Sequence, residues 1–479
     1  MSEGDAHRYA RVPHLWALGV GAVISGDFFG WQAALTAGFN GVLIILSVVT
    51  VLYVLLSFSI AELSTTVPAG GGPYVFALHG IGRTSAFFAG IAESLKVITT
   101  CAVIAVGIGS YLTQLLGTSD SLNPLWWTIF YVLFAALNIM GVVLSFRIQL
   151  VATVLSVILL LVFYVGAATQ VSYDKWVADI GWKYNDGMDG ILRGFSFSLW
   201  FYLGIEELPL AVEETIDPAR NMPRGLLSSI ASLVVISFST VIFNSMISPG
   251  AEAISQNASP LLEGYKSVFG DTKVTAGFTW LLIVGLIASF HSFIFCMGKL
   301  LFAIARDGYM PRVLTKILPG RDTPFVSLLV GCAIGLSVAI ILHFAIGDAR
   351  LGSVLINLAL VGALISYTFQ LVAFILLRIR EPNRARPYRS PFGIPGAVVA
   401  IVISWFVLFT IVYTGAKDKD FRASLVAAAI YFLLGGAYYV VSVRPSLGAA
   451  PLTAPDSAKM NQSLLTPTMA GKQEYQDKV

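Results

Sequence analysis

The sequence predicts an all-α integral membrane protein of about twelve transmembrane helices: a 5+5 inverted repeat with discontinuous helices 1 and 6, followed by two trailing helices. Three observations carry that expectation. Hydrophobic residues make up 56% of the chain and charged residues only 12%, with a mean hydropathy of +0.79, far outside the range of a water-soluble domain. Apolar runs of about 20 residues, the length a helix needs to cross roughly 30 Å of hydrocarbon, recur along the chain and exclude a barrel of short alternating strands. Two of those runs, the first and the sixth, are broken by glycine or proline beside acidic side chains.

The spans follow from the apolar windows and their breakers. The first, 14-37, contains "VISGDFFGW" (23-31), where an aspartate and two glycines stand at membrane depth. It is too long and too interrupted for a cleaved signal and lacks a small-residue cleavage site, so it reads as a retained helix. Uninterrupted runs follow at 40-67, 84-113, 125-143 and 147-170. The sixth span, 191-213, carries Gly204-Ile205-Glu206-Glu207 closed by Pro209. The remaining spans are 223-248, 274-304, 324-345, 352-376, 394-415 and 423-443. The chain thus divides into a head (1-13), a membrane domain (14-443, with repeats at 14-170 and 191-376 and helices 11 and 12 at 394-443), and a tail (444-479) expected to be disordered. Outward loops fall near 171-190 and 249-273. Alternate connecting segments differ in basic residues. One set holds Arg8, Arg11, Arg83, Arg147, Arg220, Arg224, Arg306, Arg312, Lys316, Arg321, Arg378, Arg380, Arg384, Arg386, Arg389 and Arg444, and the other about half as many, which puts both termini in the cytoplasm. Three cysteines, Cys101, Cys296 and Cys332, lie in apolar runs and read as core residues. An Asn-Ala-Ser sequon at Asn257 is followed by proline and carries little weight.

Charge at membrane depth is costly and so informative. The residues concerned are Asp27, Glu62, Glu93, Lys96, Glu206, Glu207, His291 and Lys299. Bland readings suit several of them. Glu62 lies near a span end, Glu93 and Lys96 are spaced to pair on one helical face, Lys299 can snorkel, and His291 between Ser289 and Ser292 can pack as a hydrogen-bonded residue. Asp27 and Glu206 differ because the backbone around them is also broken. Irregular backbone within a bilayer is tolerated only where it faces protein or a wet cavity. Two such breaks in corresponding spans of two five-helix halves mark a secondary transporter with a central site, and the competing reading is a pair of ordinary kinked helices.

Three stretches resemble the amino acid, polyamine and organocation transporter superfamily, with the likeness running from about residue 11 to 443: "AELSTTVPAGGGPYVF" (61-76), "EETIDPARNMPRG" (213-225) and "RPYRSPFGIP" (386-395). Within it, "ISGDFFGW" (24-31) and "ASFHSFIFCMGKLLFAIARDGYMPR" (288-312) look most like the ethanolamine permease branch. The resemblance implies alternating access and a solute held by backbone groups of the first and sixth helices. The matching residues are Ser25, Gly26 and Asp27, then Gly204 and Glu206, with Trp200 in place of the family's occluding aromatic. A carboxylate at Asp27 favours an ammonium over a substrate carboxylate, and Phe28, Phe29, Trp31, Phe201 and Tyr202 are candidates for cation-π contact. Lys96 falls where that branch carries an acidic residue. It is expected to pair with Asp27 or Glu93, or to receive the carboxylate of a zwitterionic solute.

The expected function is therefore secondary-active transport of a small solute bearing an amino group, either an amino acid or an ethanolamine-like amine. The alternatives are a polyamine or choline carrier and a non-transporting sensor or channel-like relative. Symport and exchange are both open. No cofactor is expected beyond a coupling sodium ion or proton: sodium at Ser289 and Ser292, or a proton on a buried group such as Asp27, Lys96 or Glu206, with Glu93 and His291 as further coupling candidates. The expected partners are the small-molecule solute and the lipid bilayer, with no nucleic acid and the oligomeric state open. The resemblance suggests the plasma membrane. No paired metal ligands, nucleophile motif or phosphate loop points to an enzyme.

Overall fold

A computed structural model describes residues 8–182, 187–270, 272–319, 321 and 323–447. The expected tail beyond residue 447 and the first seven residues lie outside the described residues. Among the described residues, ten helices are long and apolar enough to cross a membrane. An eleventh span is the pair Val12–Phe28 (α1) and the 3-10 helix Trp31–Ala37, bent by 55° at their junction. The sixth expected span is divided into α7 (Gly187–Leu199) and the 3-10 helix Ile205–Ala211, each shorter than a bilayer is thick. The other spans match the apolar windows to within a few residues: α2 (Phe39–Thr66), α4 (Arg83–Leu116), α5 (Asn123–Ile139), α6 (Val142–Ala167), α8 (Pro218–Ser245), α11 (Lys273–Arg306), α12 (Phe325–Ile346), α13 (Asp348–Arg380), α14 (Gly393–Lys417) and α15 (Lys419–Tyr438).

Burial separates an inner shell from a lipid-facing one. In α4 94% of the span's most apolar window is buried, and in α11 83%, against 11% for the last span. The central helices therefore make the core, and α14 and α15 turn Val402, Trp405, Phe409, Leu433 and Leu434 outward, as hydrocarbon requires. Short helices occupy several of the connections. Pro73–Gly80 (α3) sits between α2 and α4, while Ala251–Ser255 (α9) and Pro260–Phe269 (α10) occupy the stretch expected to be an outward loop. Buried Leu261, Leu262 and Tyr265 explain why that loop is ordered, with the Tyr265 hydroxyl donating to the Leu159 carbonyl at 2.5 Å.

The three stretches that carried the family resemblance are tied together around one end of the molecule. Glu62 of the first accepts from Arg378 and from the Ser390 N–H of the third, and Arg386 stands 3.3 Å from it. Gly70 of the first donates its N–H to Glu213 of the second at 3.2 Å, and a methyl added there would sit 2.4 Å from the Glu213 carboxyl carbon. Glu62 is thus the structural carboxylate its position near a span end suggested.

Candidate functional site

The first helix fails in two steps. At the first, the hydroxyl of Ser289 on α11 inserts into the helical ladder: Ser25 N–H donates to Ser289 Oγ at 3.0 Å, and Ser289 donates onward to the Gly21 carbonyl at 2.7 Å. An inserted side chain of this kind is a recognised cause of helix interruption. The chain then makes one more turn through Ser25, Gly26, Asp27 and Phe28 before it breaks. At the second step Phe29 is extended and Gly30 has φ +93°, a conformation that an L side chain resists. The sequence placed the break at Ser25-Gly26-Asp27. That triplet is helical, and the sharp bend falls at Phe29-Gly30, because Gly30 is the residue able to take the positive φ.

The sixth helix breaks as expected. α7 ends at Leu199, Gly204 has φ +118°, and Pro209 keeps the following 3-10 segment from regular helix. The two breaks abut. A methyl on Gly26 would meet the Trp200 carbonyl oxygen at 2.5 Å, and one on Gly30 would meet the Trp200 indole at 2.8 Å. Only glycine allows the two backbones to approach so closely.

Beside this junction lies a buried charge cluster. Lys96 Nζ is 2.6 Å from Glu93, 2.7 Å from Glu206 and 2.7 Å from Glu207, with all four side chains 0–1% exposed. Glu206 also accepts from the Tyr367 hydroxyl at 2.6 Å and from the Gly204 N–H at 3.1 Å, so the break itself supplies a donor. Tyr53 extends the network to Tyr367 at 3.0 Å. One oxygen of Glu93 and both of Glu207 have no hydrogen-bond partner among the described residues, Glu207 meeting Lys96 as an ion pair alone. With every group ionised, one ammonium faces three carboxylates, so the centre attracts further positive charge.

Asp27 is not part of that cluster. It turns toward α6 and α8, where Oδ1 accepts from Thr240 at 2.8 Å and Thr240 contacts the Tyr164 hydroxyl at 2.6 Å. Its Oδ2 is fully buried and has no hydrogen-bond partner among the described residues. Of the two expected partners for Lys96, the structure selects Glu93 and leaves Asp27 apart. The aromatics also divide. Phe29 stands edge-on to Trp200, with centroids 6.0 Å apart, and Trp31 packs against Phe201 at 5.8 Å. Phe28 is spent on packing over Gly285 of α11, and the Tyr202 hydroxyl bonds to Thr50 and Ser237 at 2.7 Å each. At the centre the cation over a ring is Lys96 itself, 5.8 Å from the Tyr367 centroid.

The coupling candidates are similarly sorted. Ser289 is occupied as the insert in α1, and Ser292 is buried with no hydrogen-bond partner among the described residues. His291 faces α5 and α6, bonded to Asn138 at 3.1 Å and Ser145 at 2.8 Å, away from both breaks. Sequence reasoning noted Glu207 at membrane depth without assigning it to the site, and passed over Thr240 and Tyr367. Only Glu207 left a signal, as a second carboxylate at depth beside Glu206.

Access differs at the two ends. A cavity of ≈ 530 Å³ opens on the side of the 249-273 connection and reaches down to Phe29 and Gly30, walled by Gly107, Phe197 and Ile356. Trp200 lies behind that floor, against Gly30. At the opposite end, beside Arg8 and Tyr9, a recess of ≈ 990 Å³ stops at Glu213, Glu214 and Lys299. There Lys299 pairs with Glu214, and Arg306 bonds both Glu213 at 3.1 Å and the Gly70 carbonyl at 3.1 Å. These contacts tie the segment after the sixth-helix break to α11. Lys299 is therefore an ion-pair partner, where the sequence suggested snorkelling.

Comparison with known proteins fits this arrangement. The family model for amino acid permeases matches residues 13–437. An uncharacterized transporter of Rhizobium meliloti is 28% identical over 452 residues, spanning 90% of this chain and 93% of that protein. A methylthioribose transporter of Bacillus subtilis is 24% identical, covering 83% and 91% of the two chains, and a branched-chain amino acid permease of the same organism is 25% identical, covering 88% and 91%.

Proposed function

Since the chain belongs to the amino acid permease family and is a transporter rather than an enzyme, we propose that it is a secondary-active carrier of a small solute bearing an amino group, working by alternating access. The observation that carries this reading is the abutment of two broken spans, with Trp200 set between a cavity open at one end and an ion-paired closure at the other. An arrangement open on one side only is what a carrier needs and a channel does not. In this reading residues 14-170 and 191-376 are the two repeats, 394-443 trails them, both termini are cytoplasmic, and the plasma membrane is the site of action.

Recognition of the amino end rests on charge. Three carboxylates around Lys96, together with the unpartnered oxygen of Asp27, favour an ammonium close to the junction. Because Lys96 is already gripped by Glu93, Glu206 and Glu207, it is poorly placed to receive a substrate carboxylate. That favours an ethanolamine-like amine. A neutral amino acid is the second reading, supported by the likeness to the branched-chain amino acid permease. A proton is the better-supported coupling ion, since the Ser289 hydroxyl and the Gly21 carbonyl bond to each other at 2.7 Å and leave no gap for sodium between them.

The test is a competition panel in proteoliposomes: ethanolamine, choline, polyamines, and neutral, basic and acidic amino acids, with and without sodium and a pH gradient. Saturable uptake with countertransport, inhibited by ethanolamine and driven by the pH gradient, is expected. Non-saturable flux would overturn the carrier reading, and inhibition by neutral amino acids alone would select the second reading.

A further inference from the structure

The same end of the molecule as the ionic closure carries a second, unexplained recess of ≈ 420 Å³, bounded by Arg11, Val12, Pro13, Ile216, Asp217, Arg220, Asn221 and Arg224. Its walls are well fixed. Ala10 and Thr215 form a bridge, Ile216 N–H donates to the Ala10 carbonyl at 2.9 Å, and Asn221 donates to the Ile216 carbonyl at 2.5 Å. Asp217 is held at φ +45°, the one non-glycine residue with positive φ among the described residues, and that turn swings α8 to place Arg220 and Arg224 beside Arg11. None of the three arginines has an ion-pair partner among the described residues, whereas nearby Arg147 stacks on Tyr9 and Arg306 pairs with Glu213.

Three arginines facing one recess with a single aspartate on its wall repel one another, and their surroundings worsen this. Arg11 caps the N-terminus of α1, and Arg220 and Arg224 lie in the first two turns of α8, so two positive helix-dipole ends open onto the same space. A general inward bias of basic residues accounts for arginine at span ends but not for three unpaired guanidiniums gathered round one cavity. Their planar donor forks suit a phosphate group, which can accept several hydrogen bonds at once. Arg11 and Arg224 flank the starts of the first and seventh spans, so the recess lies at headgroup level, where basic pockets between membrane helices hold anionic lipids.

We propose that the recess bounded by Arg11, Arg220 and Arg224 is a phosphate-binding site, filled by the headgroup of an anionic phospholipid or by free phosphate. The site depends on the membrane placement of the chain and not on the identity of the transported solute.

The test uses the purified full chain. Native mass spectrometry would measure retention of phosphatidylglycerol against phosphatidylcholine, and thermal unfolding would compare sodium phosphate with sodium chloride at matched ionic strength. Wild-type protein is expected to retain phosphatidylglycerol selectively, and the R11Q/R220Q/R224Q variant to retain about tenfold less, in line with the loss of charge-assisted contacts. Stabilisation by inorganic phosphate that the variant lacks would assign the site to free phosphate, and selective lipid retention without that stabilisation would assign it to lipid. Equal retention of the two lipids together with no phosphate effect, or effects unchanged in the variant, would overturn the site. If the triple variant fails to give a monodisperse protein, Arg224→Gln alone is read in the same two assays. Competition uptake of ethanolamine is measured in parallel, so that failure of the phosphate site and failure of the carrier reading are seen separately.

Discussion

Replacing Lys96 by methionine tests the electrostatic centre most directly, because the side chain keeps its length and much of its bulk while the charge is lost. The ammonium is 2.6–2.7 Å from three carboxylates, all within 1% of complete burial. Glu206 retains the Tyr367 hydroxyl and the Gly204 N–H after the change, but Glu93 with one oxygen lacking a hydrogen bond and Glu207 with two lose their counter-charge. Removing one partner of a buried ion pair costs about 3–5 kcal/mol, chiefly from the charge left behind. Lys96→Met is therefore expected to lose about that much stability in denaturant unfolding of the detergent-solubilised chain. Because the cost comes from surplus carboxylate, deleting one should restore part of it. The double variant K96M/E207Q is expected to recover about 1–3 kcal/mol relative to K96M, within the range of coupling seen between contacting residues. If K96M unfolds within about 1 kcal/mol of wild type, or if E207Q brings no recovery, the three carboxylates are not held in place by Lys96 and the account of the centre fails.

Asp27→Asn preserves shape and the acceptor for Thr240, so stability should change by less than about 1 kcal/mol, while ethanolamine uptake falls at least tenfold; normal uptake would remove Asp27 from recognition. Trp200→Ala should raise the half-saturation concentration about tenfold, since an aromatic face lost from a desolvated ammonium site is worth roughly 1–2 kcal/mol, and an unchanged value would mark Trp200 as packing. Gly26→Ala drives a methyl to 2.5 Å from the Trp200 carbonyl oxygen, so a drop in thermal midpoint equivalent to about 1–3 kcal/mol is expected, and none would mean that the two breaks do not touch. Ser289→Ala leaves Ser25 N–H and the Gly21 carbonyl unpaired at a cost of about 1–3 kcal/mol. If the variant's uptake instead changes its dependence on sodium when potassium is substituted, the proton reading is wrong.

The bilayer makes most of this fold legible in the chain. Each run of apolar residues must become a helix because hydrocarbon offers no partner for a free peptide group, so span limits such as 40-67 and Phe39–Thr66 agree closely. The sixth-helix break was equally readable, because Gly204 and Pro209 act through local backbone chemistry. The first break was displaced by several residues because the sharp bend falls where Gly30 takes its positive φ, and the other part of its cause is remote: the hydroxyl that opens the ladder at Ser25 belongs to Ser289, 264 positions away. Lys96 shows the same division. The three-residue spacing to Glu93 is visible in one helix, but Glu206 comes from 110 positions along the chain. The hydroxyl of Thr240 on Asp27 crosses 213 positions, and no periodicity encodes it.

The closure around Glu213 and Glu214 has a consequence for the direction in which the protein rests. Arg306, Lys299 and the Gly70 peptide hold two neighbouring carboxylates at once, and Arg306 and Glu213 are 38% and 29% exposed. The Arg306–Glu213 contact, this close to water, is worth little, roughly 0–1 kcal/mol, and salt screens it, whereas Lys299 and Glu214 are only 13% and 7% exposed. Yet parting the end beside Arg8 and Tyr9 separates all of them together, so the barrier is shared and tunable. In the proposed carrier cycle, ionic strength should thus set how long the cavity beside the 249-273 connection stays the open one.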